Sequence, residues 1–233
     1  MPVVAAAVCP HPPLLVPEVA SGAASDLDPL RAACLTAIEA LATATTVLVV
    51  GSIPAGTPVF PRVYGADAGG SFGAYGAPGV RFGAGPEVLP LSLAVGGWLL
   101  EQSKAASLPR TYWAVPTDAV PDECVRLGRE IADGNDRVGL LVMGDGSARR
   151  SEHSPVHLHP RAEIFDTTVA KALQHKDLDV LEALDPDLAG ELQAAGRAPW
   201  QVLAGALAGT PLAGDLRYEA APYGVGYFVA SFT

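Results

Sequence analysis

The stretch Thr46-Val47-Leu48-Val49-Val50-Gly51 carries no charge, and four aliphatic side chains follow one another before the glycine. A strand with one wet face alternates polar and apolar residues, whereas a strand covered on both faces reads as a continuous apolar run. This run therefore predicts a strand at 46–50 deep inside a sheet with a layer on each side. Val138-Gly139-Leu140-Leu141-Val142-Met143 repeats the pattern, and further strands are expected at 3–8, 111–115, 216–219 and 227–232.

Helical periodicity fills the intervals. Leu30, Cys34, Ile38 and Leu41 recur at three- and four-residue spacing, after an Asp26-Leu27-Asp28-Pro29 start that suits a helix N-terminus. Other helices are expected at 87–103, 122–132, 163–174, 178–184, 186–193 and 200–208. Residues 52–86 are crowded with Gly, Pro and aromatics around a short strand at 80–82, which reads as an excursion over the sheet edge. The alternation predicts one α/β domain over 1–233, a central mixed β-sheet flanked by helices on both faces.

Composition removes several function classes. The 233 residues are 49% hydrophobic and 17% charged, which is not the signature of a disordered chain. A net charge of −10 argues against nucleic acid as a partner, because phosphate neutralisation needs clustered Lys and Arg. No basic run exceeds Arg149-Arg150, and the apolar stretch at 91–100 is too short to span a bilayer, so no membrane partner is expected. Cys9, Cys34 and Cys124 are odd in number and widely spread, which fits a reducing compartment rather than a disulfide framework. The N-terminal segment has no basic region ahead of its apolar residues, so a cytoplasmic protein is expected. The hydrophobic composition leaves a homo-oligomer or a partner subunit open.

Ligands of such sheets lie beyond the carboxyl ends of the strands. Three segments fall there: Cys9-Pro10-His11-Pro12-Pro13, Gly51-Ser52-Ile53-Pro54 and Gly144-Asp145-Gly146-Ser147-Ala148. His11, wedged between prolines, has a stiff backbone suited to a ligand or acid–base group, and equally to an ordinary turn histidine. His11, Ser52, Asp145 and Ser147 are the candidate cleft-lining residues. Cys9 and His11 would share a face if the strand persisted, giving a Cys–His pair; a buried strand cysteine is the plainer reading. The Gly-rich stretch at 65–76 lacks the Gly-Lys-Ser ending of a phosphate loop, and neither Ser52 nor Ser147 sits in a Gly-x-Ser-x-Gly elbow.

The segment from Val8 to Val19, reading Val-Cys-Pro-His-Pro-Pro-Leu-Leu-Val-Pro-Glu-Val, resembles the opening of class III extradiol ring-cleavage dioxygenases of the LigB type, especially the Memo-like branch. The resemblance continues through Gly144-Asp145-Gly146-Ser147, Ser151-Glu152, Pro160-Arg161-Ala162-Glu163-Ile164-Phe165-Asp166, Leu184-Asp185-Pro186-Asp187-Leu188 and Tyr223-Gly224-Val225-Gly226-Tyr227. Each piece alone is weak, but they come in family order along nearly the whole chain.

Active members of that family hold non-haem Fe(II) with two histidines and a carboxylate, and use a further histidine as acid–base catalyst. The resemblance places His11 at the first metal-ligand position. It asks for a second histidine after the 46–50 strand, where Ser52-Ile53-Pro54 stand. It asks for the acid–base histidine at Ala148 and for the carboxylate at Ala194-Ala195, just before Gly196. One of four groups remains, which implies the fold without ordinary ring cleavage: a binding or regulatory protein for a small aromatic ligand, with no cofactor. The alternative is a working Fe(II), or other divalent-metal, enzyme with rearranged ligands. For that, His153, His157 and His159 would have to join His11, Asp145 or Glu152. A solvated loop carrying ordinary surface histidines is the competing reading.

Overall fold

The computed structural model describes residues 3–134 and 136–233. Seven strands form one sheet: β1 Val3–Cys9, β2 Thr46–Ile53, β3 Arg62–Tyr64, β6 Arg110–Pro116, β7 Val138–Met143, β8 Gly214–Ala220 and β9 Tyr227–Phe232, in the spatial order β3-β6-β2-β7-β1-β9-β8. The inner strands β6, β2, β7 and β1 are parallel; β3, β9 and β8 pair antiparallel toward the two edges. A separate hairpin, β4 Gly70–Phe72 with β5 Ala77–Phe82, stands off the main sheet.

The helices are α1 Pro17–Ala20, α2 Asp28–Glu39, α3 Leu91–Glu101, α4 Pro121–Asp133, α5 Ala162–His175, α6 Leu178–Glu182, α7 Pro186–Leu192 and α8 Arg197–Leu207. They form two layers. Val47 and Val49 of β2 join the core with α2 and α3, while Leu48 and Val50 join the core with α4 to α8. That division is the period-two alternation of a strand with both faces covered, and each such aliphatic contributes roughly 1.5–3 kcal/mol of gross burial. The expected α/β domain with helices on both faces is what the chain forms.

The departures from expectation are local and have physical causes. β2 continues to Ile53 because β6 supplies partners out to the Ile53–Pro116 register. A Cβ at Gly51 would lie 2.5 Å from the Ser92 hydroxyl, whose proton goes to the Ser52 carbonyl at 2.7 Å, so the glycine lets α3 approach the strand. α3 begins at Leu91 rather than 87, because Val88 and Leu89 donate their N–H groups to the Gly69 carbonyl. α8 begins at Arg197, ahead of Pro199, which is tolerated since first-turn N–H groups have no acceptor inside the helix. In the 52–86 excursion, β3 caps the sheet edge at β6, which the sequence did not announce, and the 80–82 strand belongs to the hairpin.

α8 is buried on all sides. It packs against α4 at glycine contacts: a Cβ at Gly128 would lie 2.1 Å from the Val202 carbonyl oxygen, and one at Gly205 would lie 2.1 Å from the Val125 carbonyl oxygen. Its Trp200 fills the space beneath Gly144 and Gly196 and meets Phe228 edge-on at 5.9 Å. Trp98 and Trp113 are half-buried and pack against the two cores.

Candidate functional site

The connections decide where a ligand can enter. The chain leaves β1 and β2 toward the α2–α3 layer, and leaves β6 and β7 toward the α4–α8 layer. β2 lies beside both β6 and β7, and β7 lies beside β1. Neighbouring loops therefore part to opposite faces, and a crevice opens at the carboxyl ends of the parallel strands.

On the β1–β7 side the crevice holds His11 and Asp145. The His11 backbone N–H donates to Asp145 Oδ1 at 2.7 Å, and His11 Nδ1 lies 3.6 Å from the same oxygen. His11 is buried and its Nδ1 has no hydrogen-bond partner. Burial pushes the Asp145 carboxyl above its ordinary pKa, and the charge and the backbone N–H of His11 pull it back. Burial first, and the Asp145 charge second, drive the Tyr227 phenol well above its ordinary value.

The remaining expected residues divide. Ser52 lies inside β2, buried, with its carbonyl held by Ser92. Ser147 is fully buried: its N–H donates to Asp166 Oδ1 at 2.8 Å and its hydroxyl to the Leu192 carbonyl at 3.2 Å. Ala148 is half-buried and donates its N–H to the Leu192 carbonyl. His153 and His157 are exposed on the 149–161 loop, whereas His159 Nδ1 accepts from the Arg161 N–H and its Nε2 stands 3.9 Å from Glu191. The fold brings His11 and Asp145 together and leaves the three loop histidines apart from them. Among the described residues no three of His, Cys, Asp and Glu converge as a metal-holding group. One imidazole beside one carboxylate does not fit the two-histidine, one-carboxylate set. Cys9 meets Cys34 of α2 instead of His11, and burial pushes its thiol far up, so the Cys–His pair does not form.

Sequence reasoning missed a buried pin beneath the site. Asp166 of α5 accepts the Ser147 N–H and, at 2.9 Å, the Arg150 guanidinium. Gly146 and Gly226 cover it: a Cβ at Gly226 would come within 2.2 Å of the carboxylate, and one at Gly146 within 2.6 Å. The loop after β7 and the turn before β9 are zipped together over this group, Gly146 N–H to Gly226 carbonyl at 2.7 Å and Gly226 N–H to Ser147 carbonyl at 2.9 Å. Burial raises the Asp166 pKa to about 6, the Ser147 and Arg150 donors lower it, and Glu219 raises it further. Asp166 ends the segment Pro160-Arg161-Ala162-Glu163-Ile164-Phe165-Asp166, but a helix position carries no sign of which loops will close over it.

On the β2–β6 side the crevice opens into a cleft of about 390 Å³. Ala55, Thr117 and Asp118 form one wall, and Gln193, Ala194 and Ala195 between α7 and α8 form another. Asp145 ties the two sides together, its carbonyl accepting at 2.8 Å the N–H of Gly196, the residue after Ala195 of the cleft wall. Behind the wall, the fully buried Arg197 donates to the carbonyls of Thr117 and Ala119 and to Gln201 Oε1. This clamp fixes the β6–α4 loop to α8.

Neither a family model nor a curated protein matches the chain. Among solved structures it is similar to the crystal structure of the uncharacterized protein JW3007 from Escherichia coli K12. The TM-score is 0.55 at 15% identity, over 98% of this chain and 99% of that one. The two share a fold over their whole length. No helix among the described residues is long and apolar enough to cross a membrane.

Proposed function

We propose that this chain is a LigB-like protein, of the class III extradiol dioxygenase kind, with a degenerate iron site, and that it acts in the cytoplasm as a small-molecule binding or regulatory protein. One observation carries the reading. Around a crevice with a cleft of about 390 Å³, the positions where the resemblance asks for imidazole, imidazole and carboxylate hold Ser52-Ile53-Pro54, Ala148 and Ala194-Ala195. Of these, Ala194 and Ala195 line the cleft and favour a ligand's apolar surface, and none of the three segments supplies an imidazole or a carboxylate.

The test is iron analysis of protein loaded with Fe(II) under anaerobic conditions, followed by oxygen uptake with a panel of catechols. The expected result is no stoichiometric iron and no uptake above a buffer blank. Stoichiometric iron together with uptake abolished in His11→Ala would overturn the reading. It would favour the second one, an Fe(II) ring-cleavage enzyme with rearranged ligands. The close approach of His11 Nδ1 to Asp145, at 3.6 Å, is what favours that second reading, since it offers one imidazole and one carboxylate at a single point.

A further inference from the structure

Two side chains on the wall of the cleft between β2, β6 and the α7–α8 junction, Gln193 and Asp118, offer polar atoms to a ligand. Gln193 closes α7 in the left-handed region at φ +52°. A helix C-terminus of this form is usually glycine, because a Cβ there is strained by roughly 1 kcal/mol. Gln193 is exposed, and among the described residues its carboxamide makes no hydrogen bond within the chain. The strained residue thus presents a donor and an acceptor on the wall of the cleft.

Asp118 faces the same space. The Gly56 N–H donates to its Oδ2 at 3.0 Å, which orients the carboxylate, and among the described residues no Lys, Arg or His pairs with it. The Arg197 charge lies behind this loop and interacts favourably with that of Asp118, but its hydrogen bonds go to the flanking carbonyls of Thr117 and Ala119. The Asp118 carboxylate therefore keeps acceptor capacity beyond the one bond from Gly56. The rest of the lining is small: Thr117, Pro186, Gly190 and four alanines. The chain's net charge of −10 adds a field that concentrates cations.

We infer that the cleft binds a small organic cation bearing two or more N–H donors, an amidinium, guanidinium or primary ammonium group on a compact apolar body. The charged head meets Asp118 and the Gln193 carboxamide oxygen, and the apolar body lies on Ala55, Ala194 and Ala195. An amidinium opposite a carboxylate forms the paired, charge-assisted hydrogen bonds that are the strong ones. This rests on the binding-protein reading above and specifies its ligand.

The experiment is an amide-resolved NMR titration of the full chain with three probes of one shape: benzamidine, benzyl alcohol and benzoate. The expected result is that benzamidine alone moves the amides of Ala189, Gly190, Ala194 and Ala195. The near-isosteric Asp118→Asn, which keeps an oxygen for the Gly56 N–H, should weaken benzamidine by about tenfold, as loss of a charged hydrogen bond does. Gln193→Gly should raise the melting temperature and yet weaken benzamidine, a combination a merely structural residue would not give. Gly190 faces open space, so Gly190→Leu should fold and block the cleft. Binding of benzyl alcohol or benzoate as tightly as benzamidine would overturn the cation assignment while leaving the binding reading intact. Silence from all three probes, or benzamidine binding indifferent to Asp118→Asn, would overturn it as well; the iron and oxygen measurements would still decide the binding reading.

Discussion

The two halves of the crevice are built on opposite plans. Beneath the β1–β7 side the buried carboxylate of Asp166 is engaged by the Ser147 N–H and the Arg150 guanidinium, and Gly146 and Gly226 pack directly on it. On the β2–β6 side four alanines make up much of the walls, Asp118 and Gln193 line the same cleft, and space remains. A buried carboxylate is stable only where every oxygen is engaged, which forces close packing. Small side chains with polar groups at the rim produce a cavity that a ligand can fill. One side is arranged to hold loops, the other to hold a guest.

The largest effect that should separate the two sides is Asp166→Ala. It leaves the Arg150 charge and the Ser147 N–H without their acceptor, and a loss of about 3–5 kcal/mol is expected in denaturant unfolding. A loss below about 1 kcal/mol would mean that the pin does not hold the loops. Next comes Gly226→Ala, whose new methyl meets the Asp166 carboxylate at 2.2 Å; a cost of about 1–3 kcal/mol is expected from thermal melts. The equivalent addition at Gly190, on the cleft side, should leave stability within about 0.5 kcal/mol.

Acidity should distinguish the sides in a smaller way. Because the folded Asp166 has a pKa of about 6, above the unfolded value of 3.8, the native state binds the extra proton between those limits. The contribution of this group to stability therefore rises as pH falls from about 7 toward 4. Comparing the pH dependence of melting for the wild type and Asp166→Asn isolates it; parallel curves would show that Asp166 does not titrate in this window. The smallest effect is Gln193→Gly, expected to stabilise the fold by about 0.5–1 kcal/mol through relief of the left-handed strain.

Much of this architecture was legible beforehand. The unbroken runs at 46–50 and 138–143, each followed by glycine, read as strands covered on both faces, so the layers followed from local chemistry. The helices around 122–132 and 186–193 were readable from their starts, where proline and acids stand in the first turn, and Gly134 marks the end of the former. The excursion was harder. β3 owes its existence to the free edge of β6, and Glu87 and Val88 are drawn away from α3 by Gly69, a partner 18 or more residues earlier.

For the site, the sequence placed His11 and Asp145 at strand ends, and it fixed which residue types stand where metal donors would be needed. Those are properties of order along the chain. Tertiary structure decided that Asp145 Oδ1 accepts the His11 N–H, that Ser147 turns inward to Leu192, that His159 goes to Glu191, and that Asp118 and Gln193 share a cleft. The reason is physical. Strand and helix formation depends on neighbours a few residues apart, whereas a hydrogen bond across 134 residues depends on how loops from different strands part at the end of the sheet.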